Sequence, residues 1–139
     1  MNLYITSDKC NLHDNGDYHP ESAERVNRIQ DHLIGNQLFD WFYHLDARAA
    51  TNEEITLFHK SSLIDWLESR LPESGIVEVA EDVNLCKDSV LAARYAVGAV
   101  LDGVDAVREG KAKRVFCNVR PPGHHAEVNE SKGFCLFNN

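Results

Sequence analysis

The sequence predicts an α/β fold, a mainly parallel sheet flanked by helices, on three observations. β-Rich runs stand near the two ends of the chain, at Leu3-Tyr-Ile-Thr and Arg114-Val-Phe-Cys-Asn-Val119. Between them lie segments with apolar residues at helical spacing, and strands that alternate with helices imply parallel pairing through crossovers. A loop bearing prolines and histidines follows the last strand directly, and open parallel α/β sheets bind ligands beyond the carboxyl ends of their strands.

Leu3-Tyr-Ile-Thr is the opening strand, and the polar stretch Ser7 to His19 is a loop. Pro20 suits the first turn of a helix over Glu21 to Gln37, in which Val26, Ile29 and Leu33 recur at helical spacing and Gly35-Asn36 marks the end. Trp41-Phe-Tyr-His-Leu, bounded by Asp40 and Asp46, predicts a second strand. Thr51-Asn-Glu-Glu54 has the pattern of a capping box opening a short helix. Ser61 or Ser62 caps a further helix whose Leu63, Trp66, Leu67 and Leu71 share one side before Pro72. Gly75-Ile-Val-Glu-Val is a β-rich fragment. From Asp88, residues Val90, Ala93, Val97, Val100, Val104 and Val107 step by three and four until Gly110, so this helix should lie against the sheet. Arg114 to Val119 then reads as a buried strand, closed by Pro121-Pro122, which cannot donate to a ladder.

At 139 residues with 43% hydrophobic and 26% charged, the chain has the size and composition of one globular domain. No run reaches the length of a membrane span. Met1-Asn-Leu-Tyr-Ile-Thr-Ser-Asp has neither a basic leader nor a long apolar region, so a cytoplasmic location is expected. A formal net charge of -8 argues against binding nucleic acid through a basic face. It suits a cationic substrate, a lysine-rich tail or a polyamine, or else serves solubility. Cys10, Cys86, Cys117 and Cys135 form no CxxC pair, which predicts reduced thiols rather than a zinc knuckle or a disulfide framework.

The chemistry concentrates in Arg120-Pro-Pro-Gly-His-His-Ala-Glu and the following Gly133-Phe-Cys-Leu-Phe-Asn. Imidazole titrates near neutrality, so paired histidines on a loop stiffened by two prolines can hold and deprotonate a water. The alternative for His124 and His125 is two exposed loop histidines without function. No GxSxG elbow is present to support a serine esterase.

These two segments resemble the histone deacetylase superfamily, in the class II-type branch and its bacterial relatives, the acetylpolyamine amidohydrolases and acetoin-utilisation proteins. Lys9-Cys-Asn-Leu-His13-Asp and His19-Pro-Glu-Ser-Ala-Glu-Arg25 are similar to the family's N-terminal loop and HPExxxR motif. Leu57-Phe-His59-Lys-Ser-Ser-Leu-Ile-Asp-Trp-Leu resembles its VHSxxYixxL segment, and Glu81-Asp82 the acidic pair of its substrate loop. The resemblance runs in order over residues 1–139. It implies the N-terminal part of an arginase/deacetylase-type three-layer fold with a mainly parallel sheet.

By the resemblance, His124 hydrogen-bonds the reacting water and stabilises charge, and His125 acts as general base and then as general acid. Gly133 offers its carbonyl to the substrate amide, Phe134 lines a narrow acyl-lysine channel, and Asp82 orients the substrate backbone. Arg25 lies behind the site, unless it forms an ordinary structural ion pair. An ordinary solvated carboxylate is likewise the alternative for Asp82. Cys135 sits beside the channel, where a quiet buried thiol is favoured over a redox-active one.

The resemblance implies a zinc-dependent hydrolysis of acetyl-lysine or acetylpolyamine amides. The family's metal ligands follow a later strand that has no counterpart in residues 1–139, so no stoichiometric zinc is expected for this chain alone. The expectation is a domain truncated before its metal-ligand motifs, inactive by itself, with Phe137-Asn-Asn opening the next helix. Its partners would be an acetylated amine in the complete enzyme, and either a second copy or a complementary C-terminal portion. The sheet edge beyond the last strand predicts self-association. A non-catalytic, oligomeric interaction module derived from the same fold is the alternative.

Overall fold

A computed structural model describes residues 1–139. In chain order the elements are β1 (Asn2–Thr6), α1 (Ala23–Gly35), β2 (Tyr43–Asp46), α2 (Asn52–Ile55), α3 (Ser61–Glu68), β3 (Val77–Ala80), β4 (Val83–Leu85), α4 (Ser89–Arg108) and β5 (Arg114–Cys117). The main sheet has the order β2-β1-β5, and both outer strands run parallel to β1. Leu3 stands opposite Tyr43 on one side and Val115 on the other.

Strand alternation sends Leu3, Ile5, Val115 and Cys117 to one face, where they pack with Ala99 of α4. Tyr4 goes to the other face, among the rings of Phe39, Phe42, His44 and Phe116 and against Gln30 of α1. Helices therefore cover both faces, the predicted α/β architecture. The chain leaves β1 through α1 to reach β2, then returns through α4 to β5 on the opposite side of β1. Connections that diverge from one strand to opposite sides of the sheet define a switch point, with a crevice at the strands' carboxyl ends.

A second core joins α2, α3, the β3–β4 hairpin and α4 around Leu63, Leu67, Leu85, Val97 and Phe137. Burying Leu136 and Phe137 there contributes about 1.5–3 kcal/mol each and ties residues 131–139 to the body of the domain. Phe137-Asn-Asn is not helical.

Thr51 forms both halves of the predicted capping box with Glu54. Gly110, at φ 71, ends α4 with the Lys111 N–H bonded to the Ala106 carbonyl. Other expectations need correction. α1 begins at Ala23 rather than Glu21, because the Glu21 side chain turns inward to a buried partner described below. Lys60, not a serine, stands at the N-cap position of α3, with no side-chain capping bond, and Ser62 Oγ instead donates to Asn129.

The pairing partner of the Gly75–Val79 fragment, β4, was missed: at three residues it is too short to show a period. β5 is only half-buried, with Phe116 41% exposed, since no strand pairs its outer edge. Val104 and Val107, though in phase with the α4 core, are 52% and 47% exposed for the same reason.

Candidate active site at the sheet switch point

The loops that follow β1 and β5 meet at the switch point, and a buried arginine joins them. Arg120 is fully buried. Its Nε and Nη2 donate to the two Glu21 carboxylate oxygens at 2.9 and 2.8 Å, and its Nη1 donates to the Cys10 carbonyl at 2.8 Å and to the His13 carbonyl. A planar fork fits this bidentate geometry, which an ammonium cannot reproduce. The residue immediately before Pro121-Pro122-Gly123-His124-His125 is therefore clamped to the β1 loop.

Three further contacts shape the loop. A Cβ on Gly123 would lie 2.3 Å from the Phe137 carbonyl oxygen and 2.4 Å from the Asn139 nitrogen, so only glycine lets the chain's final residues pass. Asn138 donates from its side chain to the Ala126 carbonyl at 3.0 Å and from its backbone N–H to His59 Nε2 at 2.8 Å. With Nε2 accepting, the proton of the buried His59 sits on Nδ1, facing the Val128 carbonyl at 3.3 Å. Burial pushes the His59 pKa down, which favours this neutral form.

His124 and His125 emerge side by side and exposed, with ring centroids 4.2 Å apart and planes at 57°. The backbone N–H of His125 points at Cys135 Sγ at 3.5 Å. Gly133, at φ 57, lies under His125: an added Cβ would approach the imidazole Cδ2 to 2.9 Å. Phe134 takes the left-handed φ of 69, unusual for an aromatic residue, and its N–H bonds to the Asp82 carbonyl at 2.8 Å. Its ring stands edge-on to His19, centroids 4.7 Å apart. Asp82 is exposed at the tip of the β3–β4 hairpin, at φ 55. Asp82, His125, Glu130, Lys132 and Gly133 line one open cleft of about 290 Å³.

The structure thus brings Asp82, His125, Gly133 and Phe134 together, with His124 beside them. Arg25 is separate and exposed, and its Nη2 donates to the Val119 carbonyl at 2.7 Å rather than to a carboxylate. The buried ion pair behind the loop belongs to Arg120 and Glu21, which the sequence did not single out. An arginine closing an apolar strand was the available signal. Cys135 is fully buried and burial raises its thiol pKa, which makes it a quiet thiol. All four cysteines are free, with Cys10, Cys86 and Cys135 buried and Cys117 partly so.

His13 completes the buried network. Its Nδ1 lies 2.7 Å from Ser89 Oγ, and its Nε2, 3.9 Å from Glu21, has no hydrogen-bond partner. Burial, reinforced by Arg120, lowers its pKa to about 4. The unfolded imidazole titrates near 6.5, so between pH 6.5 and 4 the unfolded chain binds the extra proton. His13 therefore has no effect on the pH dependence of stability above about pH 6.5 and lowers stability as pH falls, by up to about 3 kcal/mol. Urea denaturation at pH 7 and pH 5 should show this loss, and His13→Gln should flatten it; an unchanged slope in the variant would refute the assignment.

No three His, Cys, Asp or Glu side chains converge in ligand geometry anywhere in the chain. The adjacent histidines offer two nitrogens and no third donor, and a catalytic zinc needs three protein ligands. The residues of this chain do not fit the zinc ion that the resemblance implies.

A parallel α/β sheet with a paired-histidine loop at its switch point defines an α/β domain whose crevice lies at the carboxyl ends of its strands. Residues 19–139 match the histone deacetylase domain, and the chain belongs to that family. It is 38% identical over 132 residues to histone deacetylase 6 of Caenorhabditis elegans, a match covering 88% of this chain and 14% of that protein. It is 34% identical over 140 residues to histone deacetylase HDA1 of Saccharomyces cerevisiae, covering 88% of this chain and 20% of that protein. The crystal structure of the HDA15 HD domain superposes with a TM-score of 0.89 at 27% identity, over 99% of this chain and 40% of that one. The chain thus spans about a fifth or less of these two curated relatives.

Proposed function

We propose that residues 1–139 carry the general-base loop and part of the substrate rim of a deacetylase that hydrolyses acetylated amines, acetyl-lysine side chains or acetylpolyamines, to the free amine and acetate. The observation that supports this reading best is the placement of His125 over Gly133 at the switch point, in one cleft with Asp82. In this reading His125 removes the proton of an attacking water and then delivers it to the leaving amine nitrogen. His124, its ring beside that of His125, hydrogen-bonds the same water. The Gly133 carbonyl accepts from the substrate amide N–H, Phe134 flanks the acyl-lysine stem, and the Asp82 carboxylate accepts from the substrate backbone. The family's zinc chemistry needs ligands from outside residues 1–139, so the isolated chain is proposed to be inactive.

A fluorogenic acetyl-lysine assay of the purified chain with added zinc tests both parts. The expected result is no release above blank, and turnover that His125→Ala abolishes would overturn the inactivity. Mixed with the complementary downstream portion of a family deacetylase domain, the chain is expected to gain zinc and activity, which His125→Ala then lowers by about 10²–10⁴-fold. The second reading, a non-catalytic assembly module, predicts a soluble oligomer and no activity in the mixture.

A further inference from the structure

A second hollow, of about 250 Å³, adjoins the cleft under His125. Ala80, Glu130 and Ser131 line both and form the wall between them. The other side of this pocket comes from α3, through the buried Leu63 and through Trp66, half-buried against the second core. Two of its polar side chains are already engaged: Ser62 Oγ donates to Asn129 Oδ1 at 2.7 Å and Ser131 Oγ to the Leu136 carbonyl at 2.8 Å. Glu130 bonds to Glu127 through its backbone N–H and carbonyl, but its exposed carboxylate enters no ion pair, because Lys132 pairs with Glu127 at 2.7 Å. The pocket thus presents an indole and one unpaired carboxylate, with no cation in its lining.

We infer that this pocket is a subsite for the side chain of an arginine that neighbours the acetylated lysine of a peptide substrate, with the guanidinium against Trp66 and hydrogen-bonded to Glu130. The inference rests on the reading that the cleft under His125 takes acetyl-lysine. Because the two hollows share a wall, a peptide seated in that cleft brings a neighbouring side chain to the pocket.

Size and chemistry select the occupant. About 250 Å³ holds one large side chain and excludes a helix, which is about 10 Å across. An arginine stem covers Leu63 and Ala80, and its flat, weakly hydrated head both stacks on an aromatic face and forks onto a carboxylate. A lysine ammonium is a strongly hydrated point charge and uses the indole less well. Trp66 shows this capacity within the chain: the Arg70 guanidinium lies 4.5 Å from its ring centroid. Arg70 itself is outside the pocket, held by the Trp66 carbonyl and Ser69 Oγ, both at 3.3 Å.

The test reads the fluorescence of Trp66. Trp41→Phe, at a position 75% exposed, leaves Trp66 the one indole of the chain, and circular dichroism melts first establish that this variant and its Glu130→Gln derivative fold alike. N-acetyl-arginine methylamide should shift the emission saturably. Its citrulline analogue, of the same shape without the charge, and the Glu130→Gln change should each raise the midpoint about 10-fold or more. A short peptide carrying arginine within two residues of acetyl-lysine should bind at least about 10-fold more tightly than the arginine probe, since the second contact becomes intramolecular. Alanine in place of the acetyl-lysine should abolish that gain. No saturable shift, a midpoint indifferent to Glu130→Gln, or an equal response to N-acetyl-leucine methylamide would overturn the subsite. An arginine response that depends on Glu130, with no gain from acetyl-lysine, would instead overturn the acetyl-lysine reading of the cleft and with it the assignment of this substrate.

Discussion

Arg120→Met is expected to destabilise the domain by about 3–5 kcal/mol, the usual cost of removing one partner from a buried ion pair. Methionine matches the length of the arginine stem, so the packing loss is small. What remains is the Glu21 carboxylate, 7% exposed, with only the Asn15 side chain still donating to it. The carbonyls of Cys10 and His13 lose their shared donor as well, and each buried acceptor left bare costs about 1–3 kcal/mol. Glu21→Gln combined with Arg120→Met should recover part of the loss, because no buried charge is then stranded. Urea denaturation of the two single variants and the double variant gives the coupling energy. A loss below about 1 kcal/mol for Arg120→Met would show that the clamp does not hold the two loops. Arg120→Lys should stand between the extremes: it restores the charge and lacks the fork.

Gly98→Ala on α4 is expected to destabilise by about 2–4 kcal/mol, opposite in sign to helix propensity, which favours alanine over glycine by about 1 kcal/mol. The new Cβ would lie 1.9 Å from the Arg48 carbonyl oxygen and 3.2 Å from the Ala50 nitrogen. Both are backbone atoms of the segment after β2, which cannot rotate away as a side chain does. That segment is pinned to α4 by the Ala50 N–H on the Arg94 carbonyl at 2.9 Å and by Arg94 Nη1 on the Ala50 carbonyl at 3.3 Å. Relief of the clash strains or breaks these bonds. Thermal unfolding should register a fall on the order of 10 °C, whereas a rise would mean that propensity outweighs the close approach.

Much of the fold was legible because its causes are local. The Thr51 box, the Gly110 stop and the 3-and-4 spacing of Val90, Ala93 and Val97 each need only neighbours within one or two turns. The same spacing also placed Val104 and Val107 in the core, where they are exposed. Periodicity shows which side of a helix is apolar, but not whether another element arrives to cover it. The β3–β4 hairpin went unseen, and with it the reason Asp82 reaches the cleft: its tip carries the carbonyl that holds Phe134 at a left-handed φ.

The candidate site divides in the same way. His124, His125, Gly133 and Phe134 were readable from two short motifs close together on the chain after a strand. Arg25 drew attention as the charged residue of a motif, yet the guanidinium that matters to the buried network is that of Arg120. Its partner Glu21 lies 99 residues away in sequence, and His13 meets Ser89 across 76. Composition and spacing carry no information on such pairs, since a charge shows its partner only once folding has removed the water between them.

By itself the sequence determined an α/β chain with a proline-stiffened histidine pair after its last strand, because turn chemistry, helix period and motif spacing are short-range properties of the backbone. Only the tertiary structure decided that the loops of β1 and β5 meet at a switch point, and that a fully buried arginine fixes one to the other. Those are outcomes of which distant surfaces exclude water together, and that choice is made by the whole chain at once.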